Sequence, residues 1–173
     1  MKSKQKMTSL KYIAFSAILA ALTFVMTMYA KLPIPVTNNG YVHLGDSVVM
    51  LAGALLPWPY ALGAACIGAG LSDLVLAPAW IPATVIIKGL TVLCFTSKKE
   101  KMICPRNLIA IVPSALLCAG GYYLYEAVVY GNWVAPAVNI PLSLLQTVMG
   151  AVIYVAVAYG LDRLHFKSRV LGG

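Results

Sequence analysis

Six apolar runs alternate with short polar breaks along the chain. The first covers Tyr12 to Ala30 and follows Lys2, Lys4, Lys6 and Lys11. It has the length of a bilayer span, for which about 20 residues are needed. A secretory signal is the competing reading, because Met28-Tyr29-Ala30 loosely resembles a cleavage site. The run is longer than the roughly 7–15 apolar residues of a signal core, which favours a retained helix.

The segment from Lys31 to Tyr41 contains Pro33, Pro35 and Asn38-Asn39-Gly40 and reads as an ordered loop with turns. The second run, Leu44 to Leu56, is too short for a straight span. Pro57-Trp58-Pro59 breaks it. The third run, Tyr60 to Ala77, is rich in small residues and ends at Pro78. The fourth, Ile81 to Thr96, stops at Lys98-Lys99-Glu100-Lys101. The fifth, Leu108 to Val129, follows Arg106. The sixth, Ile140 to Leu161, opens with Asn139 as a candidate N-cap and Pro141 in its first turn.

This pattern predicts an all-α fold, a polytopic membrane bundle of six transmembrane helices with a short second helix. The predicted helices cover approximately 8–30, 44–56, 60–77, 81–97, 107–130 and 139–164. They form a single integral membrane domain over 1–173. Composition agrees. The chain is 61% hydrophobic and 10% charged, with a mean hydropathy of +0.84. A soluble domain carries roughly a quarter charged residues, so lipid is the solvent here.

The net charge of +8 would suit a nucleic-acid binder, but its distribution does not. The cations sit in clusters between apolar runs rather than across a face. Placing both termini in the cytoplasm collects every basic residue except Lys31 and Lys88 on that side, as the positive-inside bias requires. Trp58, Trp80 and Trp133 then lie at run ends, where indole rings prefer the interface.

Four cysteines (Cys66, Cys94, Cys104, Cys118) show neither ligand spacing nor pairing and read as packing residues. His43 and His165 are far apart. No metal site and no cofactor are expected, and no Walker A sequence is present, so ATP-driven work needs another polypeptide.

Ionisable residues within the runs are costly and need a reason. Asp73 and Lys88 flank the short turn between the third and fourth helices, which suggests an ion pair stapling those helices, with direct ligand contact as the alternative. Asp46 and His43 stand at the outer start of the short helix. Asp46 either caps that helix or anchors a ligand under the loop that carries Asn39.

Glu126 lies among Tyr122, Tyr123, Tyr125 and Tyr130, and the spacing puts Tyr122, Tyr125 and Glu126 on one face. These rings serve either packing or a stacking wall with a carboxylate beside it. Asn132, Trp133, Asn139 and Gln146 add polar and aromatic groups on the same side. The candidate binding residues are Asn39, His43, Asp46, Trp80, Lys88, Tyr122, Tyr125, Glu126, Trp133 and Asn139. Ser16/Ala20 and Ala17/Ala21 form overlapping small-residue pairs suited to close helix contact.

Three stretches carry a family resemblance. They are Val42-His43-Leu44-Gly45-Asp46-Ser47, the run Gly63 to Gly70 leading into Leu71-Ser72-Asp73-Leu74, and Ala83-Thr84-Val85-Ile86-Ile87-Lys88-Gly89-Leu90. With the hydropathy pattern they resemble the substrate-binding S component of energy-coupling factor (ECF) vitamin transporters. Within that family the chain is most similar to the hydroxymethylpyrimidine and vitamin B6 branch. The resemblance implies a non-enzymatic, multi-pass protein of the bacterial plasma membrane. Such a subunit captures a vitamin outside and delivers it to a scaffold membrane subunit and two ATPases. Ala17 and Ala21 match the family's Ala-x-x-x-Ala signature and would face the scaffold subunit. The alternative is a structural membrane protein of cell-shape type, which predicts no tight ligand. A membrane enzyme would need carboxylates or histidines clustered at the cytoplasmic face, where only Glu100 and Asp162 lie.

Overall fold

The computed structural model describes residues 2–33 and 41–171. Seven α-helices carry most of the chain: α1 (Lys2–Met28), α2 (Gly45–Leu55), α3 (Trp58–Leu76), α4 (Ile81–Cys94), α5 (Pro105–Ile109), α6 (Ile111–Tyr130) and α7 (Ile140–Arg163). A two-stranded antiparallel ribbon, β1 (Lys31–Pro33) and β2 (Tyr41–His43), pairs Lys31 with His43. The ribbon adds strand pairing to the ordered loop with turns expected there. Residues 34–40, including the candidate Asn39, lie outside the described residues.

Among the described residues four segments are long and apolar enough to cross a membrane: Ser9–Met28, Trp58–Leu76, Pro105–Tyr130 and Ala135–Arg163. Gly45–Leu55 and Pro78–Cys94 are shorter apolar helices. The fifth run forms the span Pro105–Tyr130 with a one-residue interruption at Ala110. Pro113 cannot donate to the Ile109 carbonyl, and the chain turns at Ala110 between α5 and α6. The fourth helix stops at Cys94 because Phe95 is extended.

The bundle wraps around α2. Every residue of α2 is buried, Asp46 and Ser47 of its first turn included, so this largely apolar helix serves as the central post. Eleven residues make about 16 Å of helix, against a hydrocarbon core of about 30 Å. A post so short leaves a hollow at each of its ends, and both major polar features of the molecule lie in those hollows. Around it, Ile18, Leu116, Val128 and Val152 point outward, as a surface solvated by lipid requires.

Close helix contact depends on small residues. A Cβ on Gly68 of α3 would lie 2.5 Å from the Ala20 carbonyl oxygen of α1. Ser16 donates to the Tyr60 carbonyl at 2.7 Å along the same crossing. Ser16 and Ala20 therefore pack inside the bundle, whereas Ala17 and Ala21 are exposed. They line an apolar groove of about 790 Å³ between α1 and α3.

Candidate functional site

A polar cavity of about 260 Å³ opens at the end of the bundle where α2 begins. His43 enters it from β2, Asp73 and Ala77 from the end of α3, and Trp80 and Thr84 from the start of α4. Tyr122 and Glu126 come from α6, and Asn139, Ser143 and Gln146 from the start of α7. Four stretches distant in sequence thus meet at one mouth, the α3–α4 hairpin supplying two of the five elements.

The aromatic wall is built by local geometry. Pro78–Trp80 forms a 3-10 turn that swings Trp80 across to α6. Its ring lies 5.8 Å from Tyr122 and 5.5 Å from Tyr125, both tilted. Tyr125 also donates to the Ala79 carbonyl, which ties the turn to α6. Tyr122 and Thr84 share a hydroxyl–hydroxyl bond of 3.0 Å. At the rim Asn139 donates its amide to both oxygens of Glu126, at 3.1 and 3.3 Å. Asn139 does stand at the N-cap of α7, but its side chain goes to Glu126 instead of capping.

Directly beneath the cavity lies a buried ionic base. Lys88 donates to Oδ1 of Asp46 at 2.5 Å, and both side chains are almost wholly buried. Gln146 donates to the other carboxylate oxygen at 3.1 Å and accepts from the His43 backbone N–H at 3.4 Å. Lys88 also sits 5.4 Å from the Tyr122 ring centroid. This arrangement corrects two expectations. Lys88 pairs with Asp46 rather than Asp73, because the central α2 stands nearer to its ammonium than the end of α3. Asp46 does not cap α2, whose first turn has no side-chain cap, because its oxygens are engaged by Lys88 and Gln146.

Two buried polar atoms at this site have no hydrogen-bond partner: Nδ1 of His43 and Oδ2 of Asp73. Both residues line the cavity and the void of about 20 Å³ beneath it. An unsatisfied buried polar atom costs about 1–3 kcal/mol, so an orphan facing a cavity marks a place where a ligand can repay that cost. Burial is the main reason that His43 titrates low, at about 4, opposed by Asp46 and reinforced by Lys88 and Lys31. His43 is therefore neutral at physiological pH.

Of the candidate residues, His43, Trp80, Tyr122, Glu126 and Asn139 line the cavity, Asp46 and Lys88 form its base, and Tyr125 backs its aromatic wall. Trp133 does not join them. It is 55% exposed and packs on Tyr123, whose hydroxyl donates to its carbonyl at 3.0 Å. Asp73, which the sequence offers as an ion-pair partner or a ligand contact, and Gln146, which it groups with the polar residues of this side, also line the cavity, whereas Thr84 and Ser143 are lining residues that the sequence does not place at the site. Thr84 lies one turn before Lys88, and Ser143 lies near Gln146 on α7.

Comparison with known proteins adds three findings. Residues 7–163 match the family model for the ECF-type riboflavin transporter, S component. An uncharacterized protein in the gap 3′ region of Pyrococcus woesei is 31% identical over 141 residues, covering 80% of this chain and 93% of that protein. A solved structure of the S component of a bacterial ECF transporter superposes with a TM-score of 0.67 at 17% identity. The superposition covers 95% of this chain and 98% of the other. At that identity the likeness shows a shared fold.

Proposed function

The chain belongs to the family of ECF-type riboflavin transporter S components, and on that footing we propose that its polar cavity captures a small water-soluble vitamin or precursor of pyridoxine or hydroxymethylpyrimidine type. The proposed orientation puts this cavity outside the cell and both termini in the cytoplasm of a bacterial plasma membrane. The captured molecule passes to a scaffold membrane subunit and two ATPases. The groove that holds Ala17 and Ala21 is the proposed scaffold contact.

The observation that carries this reading is the pair of unpartnered atoms, His43 Nδ1 and Asp73 Oδ2, in an aromatic-walled cavity. Asp73 Oδ2 asks for a hydrogen-bond donor, as a hydroxymethyl or amino group supplies. The Trp80 and Tyr122 rings offer faces to a flat heterocycle. Two carboxylates, Asp73 and Glu126, line the cavity, which disfavours an anionic ligand such as a folate or a phosphate ester. The volume also favours a small molecule, since about 260 Å³ falls below the roughly 300–1,000 Å³ of pockets for drug-sized ligands.

Riboflavin is the second reading, favoured by the name of the family model. A three-ring ligand needs a wider cavity than this one, so that reading requires the wall of Trp80 and Tyr122 to move. Isothermal titration of the detergent-solubilised protein with pyridoxine, hydroxymethylpyrimidine and riboflavin separates the two. Saturable binding of a one-ring compound that weakens in Asp73→Asn supports the first reading. Binding of riboflavin alone supports the second, and no binding by any of the three removes both.

A further inference from the structure

The hollow at the other end of α2 holds a second cavity, of about 590 Å³, which the vitamin reading does not use. Its floor is apolar and made of Leu56, Val92 and Phe95, all buried. Its rim is cationic, with Lys98, Lys99 and Arg106 exposed. Trp58, 65% exposed, stands at the same rim.

The backbone that presents these cations is held from three sides, although no helix or strand runs between α4 and α5. Asn107, fully buried, accepts from the Thr96 N–H at 2.8 Å and donates to the Thr96 and Met102 carbonyls at 3.0 and 2.9 Å. Asp162 accepts from the N–H groups of Met102 and Ile103 at 2.8 and 2.9 Å. Lys167 donates to the Lys99 carbonyl at 2.7 Å and to the Ser97 carbonyl.

These contacts leave the rim without a counter-ion. The carboxylate of Asp162 is engaged by backbone N–H groups, and Glu100 does not line the cavity. Among the described residues Lys98, Lys99 and Arg106 form no ion pair within 4 Å. Three like charges converging on a fixed backbone repel one another, and a bound anion relieves that repulsion. The positive-inside bias accounts for the number of cations at this end of the bundle. It does not account for their convergence on a cavity with a greasy floor.

An occupant that satisfies both surfaces has a phosphate head and an apolar tail. We propose that this cavity seats the headgroup and upper acyl chain of an anionic phospholipid, with Lys98, Lys99 and Arg106 around the phosphodiester and Trp58 at the interface. The exposed Trp58 at the same rim gives the acyl chain an apolar surface to follow away from the phosphate. A free phosphate would use the rim and leave the floor uncovered.

The test uses the full chain, purified and delipidated in mild detergent, titrated with phosphatidylglycerol, phosphatidylcholine or glycerol 3-phosphate. Native mass spectrometry counts bound lipid. The expected result is one saturable phosphatidylglycerol, bound at least about tenfold more tightly than phosphatidylcholine and not displaced by glycerol 3-phosphate. Lys98→Gln/Lys99→Gln/Arg106→Gln abolishes that preference, and Arg106→Gln alone reduces it should the triple variant fail to fold. Lys101→Gln/Arg169→Gln, which removes two cations of the same region from outside the cavity lining, retains it. Equal binding of both lipids, or equal loss in the Lys101/Arg169 variant, overturns the proposal. Displacement by glycerol 3-phosphate also overturns it, in favour of a soluble phosphoester.

Discussion

Lys88 of α4 donates to Asp46 of α2 at 2.5 Å, in a setting where each side chain is about 4% exposed or less. That single contact joins the central post to the wall of the cavity above it. Gln146 fixes the second oxygen of Asp46 from α7, so three helices meet on one carboxylate. The pair therefore positions the floor of the proposed binding site as well as holding the bundle together.

Breaking the pair from one side leaves a buried charge uncompensated, at a cost of about 3–5 kcal/mol. Lys88→Met is expected to lower the thermal midpoint in detergent sharply. Lys88→Met with Asp46→Leu recovers most of that loss, because neither charge remains. A double variant as unstable as the single one would show that the charges themselves are not the source of the defect.

Helix α7 approaches Asp46 through a residue without a side chain. A Cβ on Gly150 would stand 3.1 Å from the Asp46 Cβ and 3.2 Å from the Ser47 backbone nitrogen. Gly150→Val is expected to overpack this contact, destabilising by about 1–3 kcal/mol and weakening ligand affinity through a displaced Asp46. Gly160, which has open space around its Cβ position, serves as the comparison. Gly160→Val leaves affinity unchanged in a titration run beside it.

The low pKa of His43, about 4, fixes the sign of a pH effect. The folded chain binds this proton less readily than the unfolded chain, whose histidine titrates near 6.5. Stability is therefore complete above that value and falls as pH drops towards 4, by roughly 1.4 kcal/mol per pH unit. Melting curves between pH 7.5 and 4 should show this slope, and His43→Gln should flatten it. A slope unchanged in His43→Gln would assign the effect to another group.

The aromatic wall yields a graded series. Trp80→Ala removes the ring that meets both Tyr122 and Tyr125, with an expected affinity loss of about 0.5–1.5 kcal/mol beyond lost burial. Tyr122→Phe keeps the ring and removes only the bond to Thr84, so its effect should be smaller. Trp133→Ala, altered outside the cavity, should bind normally. The order of the three affinities checks the assignment.

The exposed pair Ala17 and Ala21 lines an open groove away from the cavity. Ala17→Leu/Ala21→Leu should leave ligand binding intact and stop uptake by cells that express the whole transporter. Normal uptake would relocate the partner contact.

The long apolar helices were legible because a lipid-facing surface constrains nearly every residue in them. The partner of Lys88 was not. Asp73 is close to Lys88 along the α3–α4 hairpin, and only the placement of the buried α2 between the outer helices brings Asp46 nearer. The lining role of Thr84 and Ser143 was hidden for another reason. Hydroxyl residues in apolar helices commonly bond to their own backbone, as Thr91, Ser114 and Thr147 do here, and so carry little information about a site. The break at Ala110 was readable from Pro113. The β1–β2 ribbon was hidden by its three-residue strands and by Pro33 and Pro35, although the Asn-Gly between the strands is a hairpin signal.

Mass spectrometry of the small molecules that accompany the purified protein tests the central claim most directly. The account predicts a nitrogen-containing, ring-bearing vitamin or precursor at close to one equivalent, largely lost from a His43→Ala/Asp73→Ala variant that still folds. A ligand retained undiminished by that variant, or no ring-bearing molecule either copurified or bound on addition, would contradict it.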